Sequence, residues 1–354
     1  MKILIIQQKM IGDVLVSSIL CENLRKAYPK AQIDYMVYES TMDVLKGNTY
    51  FDNLILFTET HRKSKLAYFK LLQSIRKEKY DIVIDAYSKL ESWLAVLFSG
   101  AKQKISYWKK GRNFLYTNSV KRIQSSQSNL GLIIEQRLSL LEPLKLNIIL
   151  ETFPKIYLDN EERAFASSIF KSNGIDNSKK TIMLSIIGSG MDKTYPLDYM
   201  STLIDYIADN QDVNLLFNYI PKQIEEAKAI YDGCKESTKQ KIYFSVLGKN
   251  IREFIAIMDQ CDLIIGNDGG AINMAKALDK PSYIVFSPWI DKKGWATFED
   301  GIKHVSSHLK DFNPNLFENK TDKMIKTETF SLYKKFHPEL IIPSLSNFIE
   351  RNLK

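Results

Sequence analysis

Along the chain, short apolar runs alternate with longer stretches in which apolar residues recur every three or four positions. The first run is KILII at residues 2–6. A polar loop follows over 7–12, then helical periodicity over 13–28. Strand-like runs return at 33–37, 54–57, 82–85 (IVID) and 105–107, with helical patterns over 68–77 and 88–98. Brief β-rich runs set between amphipathic segments predict a parallel sheet covered by helices on both faces.

After Pro143 the pattern pauses over 144–152 and then restarts. Helices are expected at 160–172, 197–208, 221–231, 251–258 and 270–278, and strands at 181–184, 213–217, 262–265 and 282–286. The chain therefore reads as two α/β domains, 1–150 and 151–335. A terminal segment, 336–354, carries a helix over 338–352 that can dock on either domain, including back on the first. Sheets of this kind bind ligands beyond the carboxyl ends of their strands, so two facing domains would form a site in the cleft between them.

With 354 residues, 45% apolar, each half is long enough for its own core. Cys21, Cys234 and Cys261 are odd in number and far apart, which excludes a disulfide framework and a paired-cysteine metal site and suits a reducing compartment. No uncharged apolar run approaches the ~18 residues of a bilayer span. Gln7, Gln8, Lys9 and Asp13 interrupt the early apolar run, unlike a signal peptide. The expected location is cytoplasmic. The net charge of +8 has two readings, anionic partners or a lysine-rich composition without functional meaning.

Three loops follow strands and carry candidate chemistry. In the first, Gly12 permits close backbone approach, and Asp13 stands at the start of a helix. It is either a helix cap or a carboxylate able to take a proton from a substrate hydroxyl; one residue can do both. In the second, Gly188, Ser189 and Gly190 precede Lys193 and Thr194. This is a phosphate-loop pattern with Asp192 in place of the required glycine, which argues against a kinase. What remains is either a surface loop or a glycine-rich diphosphate cradle with one lysine. In the third, Asp268, Gly269 and Gly270 open a helix that continues through Asn273. Free amides at a helix N-terminus suit a phosphate, and Asp268 suits a sugar hydroxyl; a plain cap and turn is the alternative.

Other patterns fail. His304 and His308 have helical spacing, but Val305 stands where a zinc-protease motif needs Glu. No two aspartates are separated by one residue, so the usual metal–diphosphate clamp is missing, and no metal site is expected. The stretch 102–122 mixes aromatic and basic residues, among them Lys109 and Arg112. It reads either as a solvated face or as a grip for an anionic acceptor or membrane surface.

Taken in order, these segments resemble glycosyltransferase family 9, the lipopolysaccharide heptosyltransferases. ILIIQQKMIGDVLVSSILCENLRKAYP is similar to the family's first strand, GD loop and first helix. YDIVIDAYSKLESWLAVLFSGAKQKISYW is similar to its "YDLVIDLQ…GAKRRIGF" segment. IIGSGMDKTYP stands at the place of its Lys-Arg-Trp-Pro loop. CDLIIGNDGGAINMAKALDKPSYIVF resembles "ADLVVGNDSGPMHLAAALGTPVVALF". Gly269 stands where the family usually has Ser or Thr, and Asn273 where it commonly has His.

The resemblance implies a GT-B fold, two Rossmann-like domains facing across a cleft, and inverting transfer without a metal or other cofactor. Asp13 would be the general base and Lys193 would neutralise the departing diphosphate. Gly188, Ser189, Thr194, Asp268, Gly269, Gly270 and Asn273 would bind the donor. Lys9, Gly12, Lys109 and Arg112 would lie on the acceptor side. The implied partners are a nucleotide-diphosphate sugar, with heptose the first choice, and an anionic glycolipid or lipopolysaccharide-core acceptor. Peripheral contact with the inner membrane is part of this expectation; nucleic acid is not. Two alternatives stand beside it: transfer of a different sugar to another surface polysaccharide, and an idle nucleotide-binding module.

Overall fold

The computed structural model describes residues 1–353 and divides into two compact units, Met1–Tyr157 and Leu158–Lys354. The first contains strands β1 (Lys2–Ile6), β2 (Gln32–Tyr38), β3 (Asn53–Phe57), β4 (Ile82–Asp85), β5 (Gln103–Tyr107) and β6 (Asn118–Val120). All pair in parallel, in the order β3-β2-β1-β4-β5-β6. The second contains β7 (Lys180–Ser185), β8 (Val213–Asn218), β9 (Ile242–Tyr243), β10 (Leu263–Asn267), β11 (Ser282–Val285) and β12 (His304–Ser307). Its order, β12-β11-β10-β7-β8-β9, is the same doubly wound arrangement repeated.

The central strands read as continuous apolar runs because helices bury both of their faces. Ile3 to Ile6 and Ile182 to Leu184 are almost fully buried. In each sheet the strand order reverses between the first and fourth strands, at β1/β4 and at β7/β10. The three loops singled out in the sequence follow β1, β7 and β10, so each lies at a switch point, where such sheets bind ligands.

The short edge strands β6 and β9 and the helix Leu132–Ser139 have no counterpart in the sequence pattern, whereas β12 falls on a segment that reads as strand or loop. NSV and IY, three and two residues long, are too brief for an alternation to register. The helix Pro338–Asn352 buries Ile341, Leu345, Phe348 and Ile349 in the second unit's core, where Phe348 packs on Tyr283. These side chains complete the second unit, whereas the sequence leaves open a return to the first.

Candidate active site

The helix Ile11–Ala27 follows β1 directly. Its N-cap is Met10, so Asp13 is the third helical residue; of the two sequence readings, the capping one holds only in that its carboxylate closes a capping box on the Met10 amide. The helix starts earlier because Ile11 and Gly12 already take helical positions. One oxygen of Asp13, Oδ2, accepts from the Met10 amide at 3.3 Å. The other, Oδ1, meets Arg137 Nη2 at 3.1 Å.

Arg137 comes from the unforeseen helix Leu132–Ser139 and is buried, with 4% of its surface exposed. Its Nε donates to Ser17 Oγ at 2.7 Å and its Nη1 to Tyr107 OH at 2.9 Å. Burial works against its charge, but Tyr107 and Asp13 more than offset this and raise its pKa. A buried cation thus presents a partly exposed carboxylate at the end of β1. Gly12 is adjacent, and the Lys9 ammonium lies 4.4 Å from the Tyr38 ring centroid.

Asp85 ends β4, beside β1 at the switch point. Its buried carboxylate accepts from the Ser88 amide at 2.8 Å, Ser92 Oγ at 2.8 Å and Tyr116 OH at 2.7 Å. Burial nevertheless pushes its pKa up to about 6. It braces the loop after β4. Lys109 and Arg112 belong to the loop between β5 and β6; Lys109 is exposed, while Arg112 stacks 3.8 Å from the Trp93 ring centroid.

In the second unit, the loop after β7 folds on itself. Thr194 Oγ1 accepts from the Gly188 amide at 3.1 Å and donates to the Gly190 carbonyl at 2.9 Å. Its hydroxyl therefore shapes the loop. A Cβ on Gly188 would lie 2.2 Å from the Lys193 carbonyl, so glycine is required there. Ser189 is exposed at the tip. The Asp192 carbonyl accepts from Ser287 Oγ at 2.6 Å and Trp289 Nε1 at 2.9 Å, both from the segment after β11. Trp289 also takes the Lys193 ammonium 5.3 Å from its ring centroid and that of Lys326 at 4.2 Å.

Asn267, at the end of β10, ties the two loops together. It accepts from the Tyr195 amide at 2.7 Å and donates to the Ser185 carbonyl at 3.0 Å. Asp268 follows, and the helix Gly270–Ala277 begins with Gly269 as its N-cap. Burial raises the Asp268 pKa, opposed by the charges of Lys193 and Lys276 and by the Gly269 amide. Lys193 and Asp268, distant in sequence, thus share one electrostatic environment. Nothing lies within 4 Å of a Cβ built on Gly269 or Gly270, which leaves open space over the first turn. Asn273 Nδ2 donates to the Gly269 carbonyl at 3.3 Å.

Lys276, further along that helix, is buried and donates to the Thr297 carbonyl at 2.6 Å. Burial pushes its pKa down to about 8, opposed by Glu299, Asp268 and Asp300. No motif in the sequence marks Arg137, Asp85, Trp289 or Lys276 as site residues. Single residues outside the glycine-bearing loops carry no local signal. Among the described residues, no group of three or more His, Cys, Asp or Glu side chains is placed to hold a metal ion.

The model of glycosyltransferase family 9 (heptosyltransferase) matches residues 68–323. The chain belongs to this family. It is a glycosyltransferase. Relatives include lipopolysaccharide heptosyltransferase 3 of Escherichia coli, 22% identical over 78% of this chain and 83% of that one. Lipooligosaccharide heptosyltransferase 2 of Haemophilus ducreyi is 23% identical over 80% and 82%. Among solved structures, the family 9 glycosyltransferase of Veillonella parvula superposes with a TM-score of 0.76 at 17% identity, covering 98% of this chain and 97% of that one. E. coli ADP-heptose lipopolysaccharide heptosyltransferase II gives 0.68 at 18% identity, covering 95% and 99%. The fold is thus that of the family's solved members, GT-B.

Proposed function

We propose that this family 9 enzyme is an inverting, metal-independent transferase that moves a sugar, heptose in the first instance, from a nucleotide diphosphate to a lipopolysaccharide core or related glycan. The observation that carries this reading is the second-unit cluster: the Lys193 ammonium and the Asp268 carboxylate beside the open first turn at Gly269 and Gly270. An ammonium and helix amides suit a diphosphate; a carboxylate suits sugar hydroxyls. Solved relatives from E. coli hold ADP and ADP-2-deoxy-2-fluoro heptose, which supports an adenosine diphosphate donor.

In this mechanism Asp13 takes the proton of the acceptor hydroxyl as its oxygen attacks the anomeric carbon. The bond from that carbon to the diphosphate breaks with inversion, and the electron pair leaves on the diphosphate. Lys193 and the amides of Gly269 and Gly270 stabilise that charge, the part a divalent ion plays elsewhere. Lys9, Lys109 and Arg112 supply positive charge for an anionic acceptor. Because such acceptors are lipid-linked, the enzyme works at the cytosolic face of a membrane. Gly269 and Asn273, which lack the hydroxyl and imidazole usual in the family, favour one second reading: a different nucleotide sugar as donor.

Calorimetric titration with ADP and with ADP-heptose tests the assignment. Lys193→Ala should weaken both ligands, and Asp268→Ala chiefly the nucleotide sugar. Turnover should persist in excess EDTA. Equal loss of both ligands in the Asp268 variant would overturn that residue's role. Activity that EDTA abolishes and Mg²⁺ or Mn²⁺ restores would overturn the role of Lys193.

A further inference from the structure

We propose that the outward face of the helices Lys65–Glu78 and Leu90–Ser99, in the first unit, is a docking surface for an anionic membrane leaflet. The two helices pack side by side, with the Phe69 and Phe98 rings edge to face at 5.9 Å. Their inward faces are fully occupied: Leu72, Ile75, Ala95 and Val96 are buried in the unit's core. A helix on a soluble surface ordinarily turns polar residues outward. Here Leu90, Leu94 and Leu97, spaced to share one helix face, are 65%, 37% and 51% exposed. Leu66 and Phe69 on the neighbouring helix are 65% and 45% exposed. A groove of about 610 Å³ runs between the helices, lined by Phe69, Gln73, Arg76, Lys77, Leu97 and Phe98. The loop that stacks Arg112 on Trp93 of the leucine-bearing helix also presents an exposed Phe114.

Charge decides the occupant. Between residues 62 and 79 there are seven Lys or Arg and a single acidic residue, Glu78, which is itself bound to Lys2 at 2.7 Å. Lys70 and Lys77, two helical turns apart, are both exposed. Leucine and phenylalanine among flexible lysines fit the acyl–headgroup boundary of an anionic leaflet, where apolar burial and charge attraction add. The inference deepens the function proposed above and rests on it for the reason the enzyme visits a membrane, which is to reach a lipid-linked acceptor.

The test is sedimentation of the full chain with vesicles of phosphatidylcholine alone or with added phosphatidylglycerol. The protein should bind the anionic vesicles only and dissociate as salt is raised. Lys70→Glu/Lys77→Glu and Leu90→Ser/Leu97→Ser should each reduce partitioning by at least about tenfold, with thermal melting unchanged because all four side chains are exposed. Transfer to a delipidated, soluble acceptor should be unaffected, while transfer to vesicle-embedded acceptor falls. No binding by the parent protein, or equal binding by the variants, would overturn the proposal. So would leucine variants that turn a dimer into a monomer while vesicle binding persists, since the face would then be a protein contact. If the parent protein binds vesicles but transfers no sugar even to soluble acceptor, it is the proposed function that fails.

Discussion

Asp13 and Arg137 show how much a single contact decides. The guanidinium engages Ser17, Tyr107 and Asp13 at once through three different nitrogens, an arrangement that only a planar fork can make. Lysine at this position would keep the charge but could not hold all three, so the carboxylate would lose its fixed orientation. Arg137→Lys should lower kcat by roughly 10- to 100-fold through misplacement of the proposed base, Asp13, with donor KM little changed. Asp13→Asn should lower kcat by about 100-fold or more, and the double variant should be scarcely worse, because the two residues act as one device. Steady-state kinetics with separate donor and acceptor variation checks this. A raised donor KM at unchanged kcat would instead assign Arg137 to binding alone.

At the scale of elements, the glycines of the two second-unit loops proposed to bind the donor divide into two kinds. Gly188 packs so tightly against the Lys193 carbonyl that a methyl group would collide with backbone, and the loop would have to open. Gly269 has an extended φ of 169° and open space where its Cβ would be, so any residue fits. Its glycine keeps bulk away from the helix N-terminus and relieves no strain. Gly188→Ala should therefore lower the melting temperature and sharply weaken ADP binding, because Lys193 moves with the loop. Gly269→Ser should keep its unfolding free energy within about 0.5 kcal/mol of the parent's, adding a hydroxyl beside the proposed diphosphate position. Paired melting curves with and without ADP separate the two cases. Similar destabilisation by both substitutions would contradict this division.

For the whole molecule, buried bases shape the pH dependence of stability. His304 on β12 shares a 3.0 Å hydrogen bond with Ser282 Oγ and lies near Lys276. Burial first, then the Lys276 charge, pushes its pKa down to about 3. Between pH 6.5 and 3 the unfolded chain takes up a proton that the folded chain refuses, so stability falls as pH falls through that window. The contribution is on the order of a few kcal/mol at the acid end. Lys276 acts in the same direction at higher pH: with a folded pKa of about 8, it costs stability at neutrality that is recovered as pH rises from 8 towards 10.5. Asp85 opposes them between about pH 4 and 6, because its raised pKa makes the folded chain the better proton acceptor there. Urea unfolding of the parent and His304→Gln isolates the histidine. The variant should lose less stability on acidification below pH 6.5, and an identical slope would show that His304 is not responsible.

The sequence by itself determined the class of the fold and singled out three candidate loops, which the structure sets at the switch points of the two sheets. Apolar runs buried on both faces are legible because strand and helix periods differ, and the loops after β1, β7 and β10 carry their glycines, aspartates and lysine as contiguous strings. Local chain geometry forces that contiguity: a tight turn into a helix N-terminus needs its residues adjacent. Tertiary structure alone decided what each of those residues rests on. Arg137 reaches Asp13 across 124 positions, and Trp289 reaches Asp192 across 97. Such partners follow from which strands lie side by side, and no period in the sequence encodes them. The exposed leucine face belongs to the same category. LESWLAVLFS reads as a helix from its sequence, but only its packing against the neighbouring helix and sheet shows that Leu90, Leu94 and Leu97 face solvent. The terminal helix was visible as amphipathic, and its destination was settled by the second unit's core, which Ile341, Leu345 and Phe348 complete. Amphipathicity specifies that a face must be buried; the shape of the remaining core specifies where.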